Sequence, residues 1–230
     1  MSASFLYLVR HGQVISVNGK AYIGQTEAPL SEAGVEQAWA LRTWLKDVTF
    51  SHVYTSELSR AQRTARIIVG NRSSAIHVTP ALNEISLGDW DGISFKDIEK
   101  RFPEEYAARG RDMANWRPPH GESFADCRTR VLPAIREIIQ HGSDNVLVVG
   151  HAGVNRTILC EILGIQLQNL FSIGQDYGAV NILEITSSRV RLKLLNFLPP
   201  SVPAMEDQVA QTSHSHREKQ RRRQTCPWHI

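Results

Sequence analysis

The sequence predicts a three-layer α/β/α domain on a largely parallel central sheet. Three observations predict it. Short apolar runs rich in β-formers recur along the chain, and the stretches between them repeat their apolar residues at helical spacing. With 42% hydrophobic and 21% charged residues the balance is globular, which excludes a wholly disordered, collagen-like or disulfide-scaffold chain. The 230 residues suffice for one sizeable core.

Residues 5–9, Phe-Leu-Tyr-Leu-Val, read as a buried strand. Ser31 is a natural N-cap for a helix to about Lys46, with Val35, Ala38, Trp39 and Leu45 as its apolar stripe. Phe50 to Thr55 reads as a second strand, and Leu58, Ala61, Ala65 and Ile68 as the stripe of a second helix. Ile76 to Val78 makes a brief strand. From Ile85 to His120 the period weakens, as expected of an excursion over one end of the domain. Phe124, Cys127, Val131 and Ile135 restore it, in a helix that Pro133 should distort. Asn145 to Val149 is a strand, Val154, Ile158 and Ile162 mark a helix stopped by Gly164, and residues 179–185 and 190–197 are strands joined through Ser187-Ser188.

The catalytic domain is expected to span residues 1–198, leaving 199–230 as a disordered basic tail. Beyond Pro199-Pro200 apolar periodicity ends and Gln, Ser, His and Arg dominate. Residues 201–230 hold five Lys/Arg against three Asp/Glu, so of the net charge of +3 the body carries only +1. That near-neutral body argues against nucleic-acid binding, and neither His214 and His216 nor Arg217 to Arg223 is expected to hold a ligand. No apolar run approaches the roughly 18 residues of a membrane helix, and residues 1–4 carry no basic secretory region. Cys127, Cys160 and Cys226 are odd in number and far apart, which predicts neither a disulfide framework nor a zinc module. The expected setting is the cytoplasm.

Two strands end alike. Leu8-Val9 runs into Arg10-His11-Gly12, and Val148-Val149 into Gly150-His151-Ala152-Gly153. Ligands of open parallel sheets sit at the carboxyl ends of strands, so neighbouring strands would bring His11 and His151 into one crevice. Either histidine alone would more simply be a satisfied structural residue; the matched pair points to a site. Arg10 adjoins the first histidine and Arg60 opens the second helix, so two guanidiniums, a histidine and helix N-termini could form a pocket for a phosphoryl dianion.

These segments, in order, resemble the histidine phosphatase superfamily, the phosphoglycerate-mutase-like fold. The matching pieces are Leu8-Val9-Arg10-His11-Gly12, Pro29-Leu30-Ser31, Ser56 through Ala61 with Thr64-Ala65, Leu82-Asn83-Glu84, His120-Gly121-Glu122-Ser123 and Gly150-His151-Ala152-Gly153. The resemblance implies His11 as a nucleophile forming a phosphohistidine, with Arg10, Arg60 and His151 on the phosphoryl oxygens and Glu84 protonating the leaving oxygen. Arginine charge stabilises such a transfer without a metal or other cofactor. Neighbouring cations favour the neutral, nucleophilic His11, while His151 is expected to stay protonated on the dianion.

Only 36 positions separate Glu84 from His120, where mutases of the family usually insert more, and the second histidine stands in His-Ala-Gly. Hydrolysis is therefore expected over phosphoryl return. Tyr22-Ile23-Gly24-Gln25, Leu82-Asn83-Glu84-Ile85 and Gly88-Asp89-Trp90 are similar to α-ribazole phosphatases, which implies α-ribazole 5'-phosphate as substrate and Gly24 and Gln25 as substrate-binding residues. Val17 stands where many relatives carry Asn, and Gln13 where Glu is common. In the excursion, Trp90, Phe102, Tyr106 and Trp116, with Arg101, Arg109, Arg111 and Arg117, are candidates to line a leaving-group pocket, where an aromatic could stack on a benzimidazole; for most of them the simpler reading, that they pack the excursion onto the domain, is preferred. The rivals are a broad-specificity phosphatase, a mutase, and a phosphate-binding regulatory module without catalysis. The expected partner is a small-molecule phosphate monoester, with no nucleic acid and no membrane, bound by a monomer or homodimer.

Overall fold

The computed structural model describes residues 4–15, 21–72, 75–141, 144–186 and 189–200, with the His141 side chain left aside. Val17, Ser187, Ser188, Cys226 and all of the expected 199–230 tail beyond Pro200 lie outside the described residues.

Six strands form one sheet: β1 (Ser4–Arg10), β2 (His52–Thr55), β3 (Ile76–Val78), β4 (Asn145–Gly150), β5 (Val180–Ile185) and β6 (Val190–Phe197), in the order β3-β2-β4-β1-β5-β6. The first four in that order run parallel, and β5 and β6 add antiparallel pairings at one side. Around the sheet lie α1 (Glu32–Trp44), α2 (Ser59–Val69), α3 (Phe95–Arg101), α4 (Pro103–Arg111), α5 (Phe124–His141) and α6 (Ala152–Leu163).

Strand alternation builds the layers. Leu6 and Leu8 of β1 and Val146 and Val148 of β4 point to one face, where they meet Cys127, Val131 and Ile135 of α5 and Val154 and Ile158 of α6. Val9, Leu147 and Val149 point to the other, against Leu41, Ala61, Ala65 and Ile68 of α1 and α2. The central strands are thus apolar on both faces, as continuous Val/Leu runs require in a parallel sheet.

Local signals mostly act as read. The Ser31 hydroxyl accepts from the Gly34 N–H at 3.1 Å and starts α1. One stripe differs: Gly34, Ala38 and Leu41 turn inward with Leu45 just beyond, while Trp39 is 40% exposed, its ring 4.9 Å from the Arg42 guanidinium. Pro133 lies on the exposed face of α5 and interrupts no element. A 3-10 turn at Leu167–Ser172 has no apolar period to announce it.

The excursion holds a 3-10 turn at Gly88–Trp90, then α3 and α4, and a 3-10 turn at Pro80–Leu82 precedes it. Trp90 is 1% exposed, with its ring 5.6 Å from Tyr22 and 4.7 Å from Trp116. Burial thus bears out the simpler alternative for Trp90, and Trp116, partly buried, packs against the same core; neither lines the cavity described below. Trp90→Ala is expected to cost about 3–5 kcal/mol of stability and to leave substrate preference intact. Denaturant unfolding and a substrate panel measure both; an altered preference with little loss of stability would contradict the assignment.

Candidate active site

The parallel register places Arg10 opposite Gly150, so the chain leaves β1 and β4 at the same end of the sheet. The His11 N–H donates to the Gly150 carbonyl at 3.0 Å, and the rings of His11 and His151 lie 5.0 Å apart. Gly12 lets this segment pass close to the start of α1: a Cβ there would stand 2.2 Å from the Gly34 carbonyl oxygen.

Hydrogen bonds set the state of each imidazole. His11 Nδ1 lies 2.8 Å from the Gly12 carbonyl, which can only accept, so the proton is on Nδ1 and Nε2 keeps its lone pair. His151 Nε2 lies 2.7 Å from the Ser56 hydroxyl, whose oxygen accepts from the Leu58 N–H. Among the described residues no other acceptor takes the Ser56 proton, so Ser56 donates to Nε2 and leaves the His151 proton on Nδ1.

Burial, with Arg60 and Arg10 adding charge repulsion, holds His11 well below 6.5; burial, then His11, Arg60 and Arg10, does the same to His151. Both imidazoles are therefore neutral at pH 7 in the protein without a bound dianion. Unfolding below about pH 6.5 takes up protons at these positions. The stability they contribute is complete above 6.5, their ordinary value, and is lost as pH falls towards their folded values. Their ring-proton NMR shifts are expected to stay flat from about pH 8 to 6, with Tm falling below about pH 6.5. A titration of either ring centred at 6.5 or above would contradict the burial argument.

Arg10 and Arg60 are held by backbone carbonyls. Arg10 Nη1 donates to Gln175 O at 2.6 Å, and its guanidinium lies 3.6 Å from the centre of the Tyr177 ring. The Gln175 side chain is fixed by Asn155 and Asn181 at 3.3 and 3.0 Å. Arg60, 1% exposed in the first turn of α2, donates to Thr26 O at 2.7 Å and Gly24 O at 2.6 Å. Burial lowers both guanidiniums from their usual value, opposed by Tyr177 and Glu84 at Arg10 and by Glu84 and Glu27 at Arg60. Arg10 Nε, Arg60 Nε and His151 Nδ1 are buried without a partner among the described residues.

Glu84 approaches the N-terminus of α6. Its carboxylate accepts from the N–H groups of Ile85 at 3.0 Å, Gly153 at 3.1 Å and Val154 at 3.2 Å. A Cβ on residue 153 would lie 2.7 Å from Glu84 Oε1, so only glycine leaves room for the carboxylate.

Arg10, His11, Gly24, Arg60, Glu84, Gly153 and Tyr177 line a cavity of about 410 Å³. Tyr22, Phe95, Tyr106 and Phe171 add aromatic wall, with Arg109 and Arg156; Phe95 and Phe171, 41% and 50% exposed, mark its open side. Gln25 does not line it: its side-chain amide donates to Glu84 O at 2.9 Å and its N–H to Asp91 at 3.2 Å. Of the excursion arginines only Arg109 reaches the cavity, while Arg117 pairs with Asp126. Burial pushes the Cys127 thiol up to about 12, which leaves it inert.

Five predicted residues, Arg10, His11, Arg60, Glu84 and His151, are thus brought together. Sequence reading missed Ser56 as the partner of His151, although it lies within a matching segment. It also missed Tyr177, Gln175 and Arg156, which carry no local signal. The model of the histidine phosphatase superfamily (branch 1) matches residues 6–198. The chain belongs to the histidine phosphatase superfamily. Among its relatives is the adenosylcobalamin/alpha-ribazole phosphatase of Escherichia coli (strain K12), 33% identical over 193 residues that cover 83% of this chain and 95% of the relative. The glucosyl-3-phosphoglycerate phosphatase of Mycolicibacterium vanbaalenii is 33% identical over 173 residues, 71% of this chain and 76% of its own. In structure, the alpha-ribazole phosphatase from Shigella flexneri superposes with a TM-score of 0.78 at 33% identity, over 86% of this chain and 99% of that one. Like these relatives, this superfamily member is a phosphatase. Its helices lie on both faces of the central sheet, as predicted, and among the described residues no helix is long and apolar enough to cross a membrane.

Proposed function

We propose that this phosphatase hydrolyses α-ribazole 5'-phosphate to α-ribazole and inorganic phosphate, through a phosphohistidine on His11. The observation that carries the phosphoryl site is the trio of buried nitrogens without partners, Arg10 Nε, Arg60 Nε and His151 Nδ1, beside an imidazole whose Nε2 lone pair is free. Proteins rarely bury unpaired donors, and a phosphoryl group offers three acceptor oxygens.

His11 Nε2 attacks phosphorus as the bond to the ribose oxygen breaks, and Glu84 gives that oxygen its proton. Water then attacks the phosphohistidine, Glu84 takes the water proton, and phosphate leaves with His11 neutral again. Arg10 and Arg60 stabilise the transferring charge, and a bound dianion draws His151 towards its protonated form. Glu84 contributes about 10²–10⁴-fold as acid and base. Supporting the leaving group are the aromatic walls, which suit a flat benzimidazole, and the relatives named for α-ribazole. On this reading Gly24 contributes cavity wall and Gln25 supports Glu84. Residues 1–198 are the catalytic unit, working in the cytoplasm as a monomer or homodimer.

The test is phosphate release from α-ribazole 5'-phosphate beside sugar, nucleotide and glycerate phosphates, in EDTA. A preference of at least about tenfold in kcat/KM is expected, since apolar pocket contacts discriminate at this scale. Equal rates across the panel would remove α-ribazole as the substrate. Release that requires added metal would remove the mechanism.

A further inference from the structure

We propose that Arg130, paired with Glu122, is a positioning residue that sets the placement of Glu84, and through it the enzyme's ability to expel poor leaving groups. The proposal rests on the reading of Glu84 as the general acid.

Glu84 sits on no helix or strand. It lies between the 3-10 turns at Pro80–Leu82 and Gly88–Trp90, so the regular elements do not fix its main chain. Side chains do so instead. From α5, Arg130 Nη1 donates to Ala81 O at 2.8 Å and Nη2 to Glu84 O at 3.1 Å. The same guanidinium grips Glu122 in a bidentate pair, Nε to Oε1 at 2.7 Å and Nη2 to Oε2 at 2.9 Å. Glu122 Oε2 in turn accepts the Ser86 N–H at 2.9 Å. One ion pair therefore stitches residues 81, 84 and 86, on both sides of the acid and at the acid itself.

The pair is three-quarters buried, its side chains 24% and 22% exposed. Burial alone would raise the Glu122 carboxyl, but hydrogen bonds from Arg130 and the Ser86 N–H, with the Arg130 charge, hold it below its usual value. Arg130 does not line the cavity, so its effect on catalysis passes through Glu84. Only a planar fork can make this set of bonds, because lysine offers one ammonium and could not span Glu122, Ala81 and Glu84 together.

The chemistry gives a readout that a purely structural role would not produce. p-Nitrophenolate leaves without a proton, whereas the sugar alkoxide of ribose 5-phosphate needs one. The parameter kcat/KM reports the steps through departure of the first leaving group, which isolates the acid step. In the full chain, Arg130→Ala is expected to raise the ratio of kcat/KM for p-nitrophenyl phosphate to that for ribose 5-phosphate by about 100-fold, the scale of a 1 Å misplacement. Added methylguanidinium should restore part of the lost ribose 5-phosphate activity, and Arg130→Lys should not. If Arg130→Ala does not fold, Glu122→Gln is the second variant, with an expected rise of about tenfold from loss of the charged partner.

Parallel loss on both substrates, or an unchanged ratio, would overturn the positioning role. Glu84→Gln separates the two readings. If it raises the ratio and the Arg130 and Glu122 variants do not, positioning by the ion pair fails while the acid stands. If it leaves the ratio unchanged, the acid reading itself has failed.

Discussion

His11→Ala is expected to lower kcat/KM by at least ~10⁴-fold, because it removes the atom on which the proposed covalent intermediate forms. The reason lies in the tautomer: Nδ1 is tied to the Gly12 carbonyl at 2.8 Å, so Nε2 is the one nitrogen of the ring able to attack. His151, 5.0 Å away, has its Nε2 against Ser56 and cannot take over. The checks are steady-state phosphate release and trapping of an acid-labile phosphoenzyme, present in the parent and missing in the variant. Because His11 is a small buried ring on a backbone fixed through Gly150, the variant should stay folded. Residual turnover within about 100-fold of the parent would mean that another residue carries the phosphoryl group.

Arg60→Ala should cost about 10³-fold in kcat/KM, the scale of removing a preorganised charged donor from a transition state. It should also destabilise the protein. Arg60 is 1% exposed and bonds the carbonyls of Gly24 and Thr26, and leaving buried carbonyls unpaired costs about 1–3 kcal/mol. Arg60→Lys is not a rescue, since one ammonium cannot hold both carbonyls and still present a further N–H to the ligand. Kinetics and denaturant unfolding on the same preparations measure the two effects. A drop in stability with kcat/KM within tenfold of the parent would reduce Arg60 to a scaffold residue.

The legible part of the site is the part whose signals are local. Arg10, His11, Arg60 and His151 stand at strand ends or in a first helical turn, where chain order implies spatial position. The layers could be read because Leu6, Leu8 and Val9, like Val146 through Val149, alternate faces along central strands. Trp39 misled because an amphipathic ring fits a helix stripe by hydrophobicity, yet can cover the surface with an arginine over it. Trp90 left two readings open, because an aromatic beside a site motif can line a pocket or, as here, turn inward. Tyr177, Gln175 and Arg130 act across separations of 167, 165 and 46 residues. No periodicity or spacing encodes such contacts.

β1 is the inner strand that leads into His11, the proposed nucleophile, and both of its neighbours, β4 and β5, belong to residues 145–150 and 180–185. On a ribosome moving at about 5–20 residues per second, that strand waits on the order of 7–30 s before either edge finds a partner. During that interval Leu6, Leu8 and Val9 have no sheet to enter and stay exposed as an unpaired apolar segment. Nascent fragments that end before β4 therefore carry His11 without its second histidine, and those that end before β5 leave one edge of β1 unpaired.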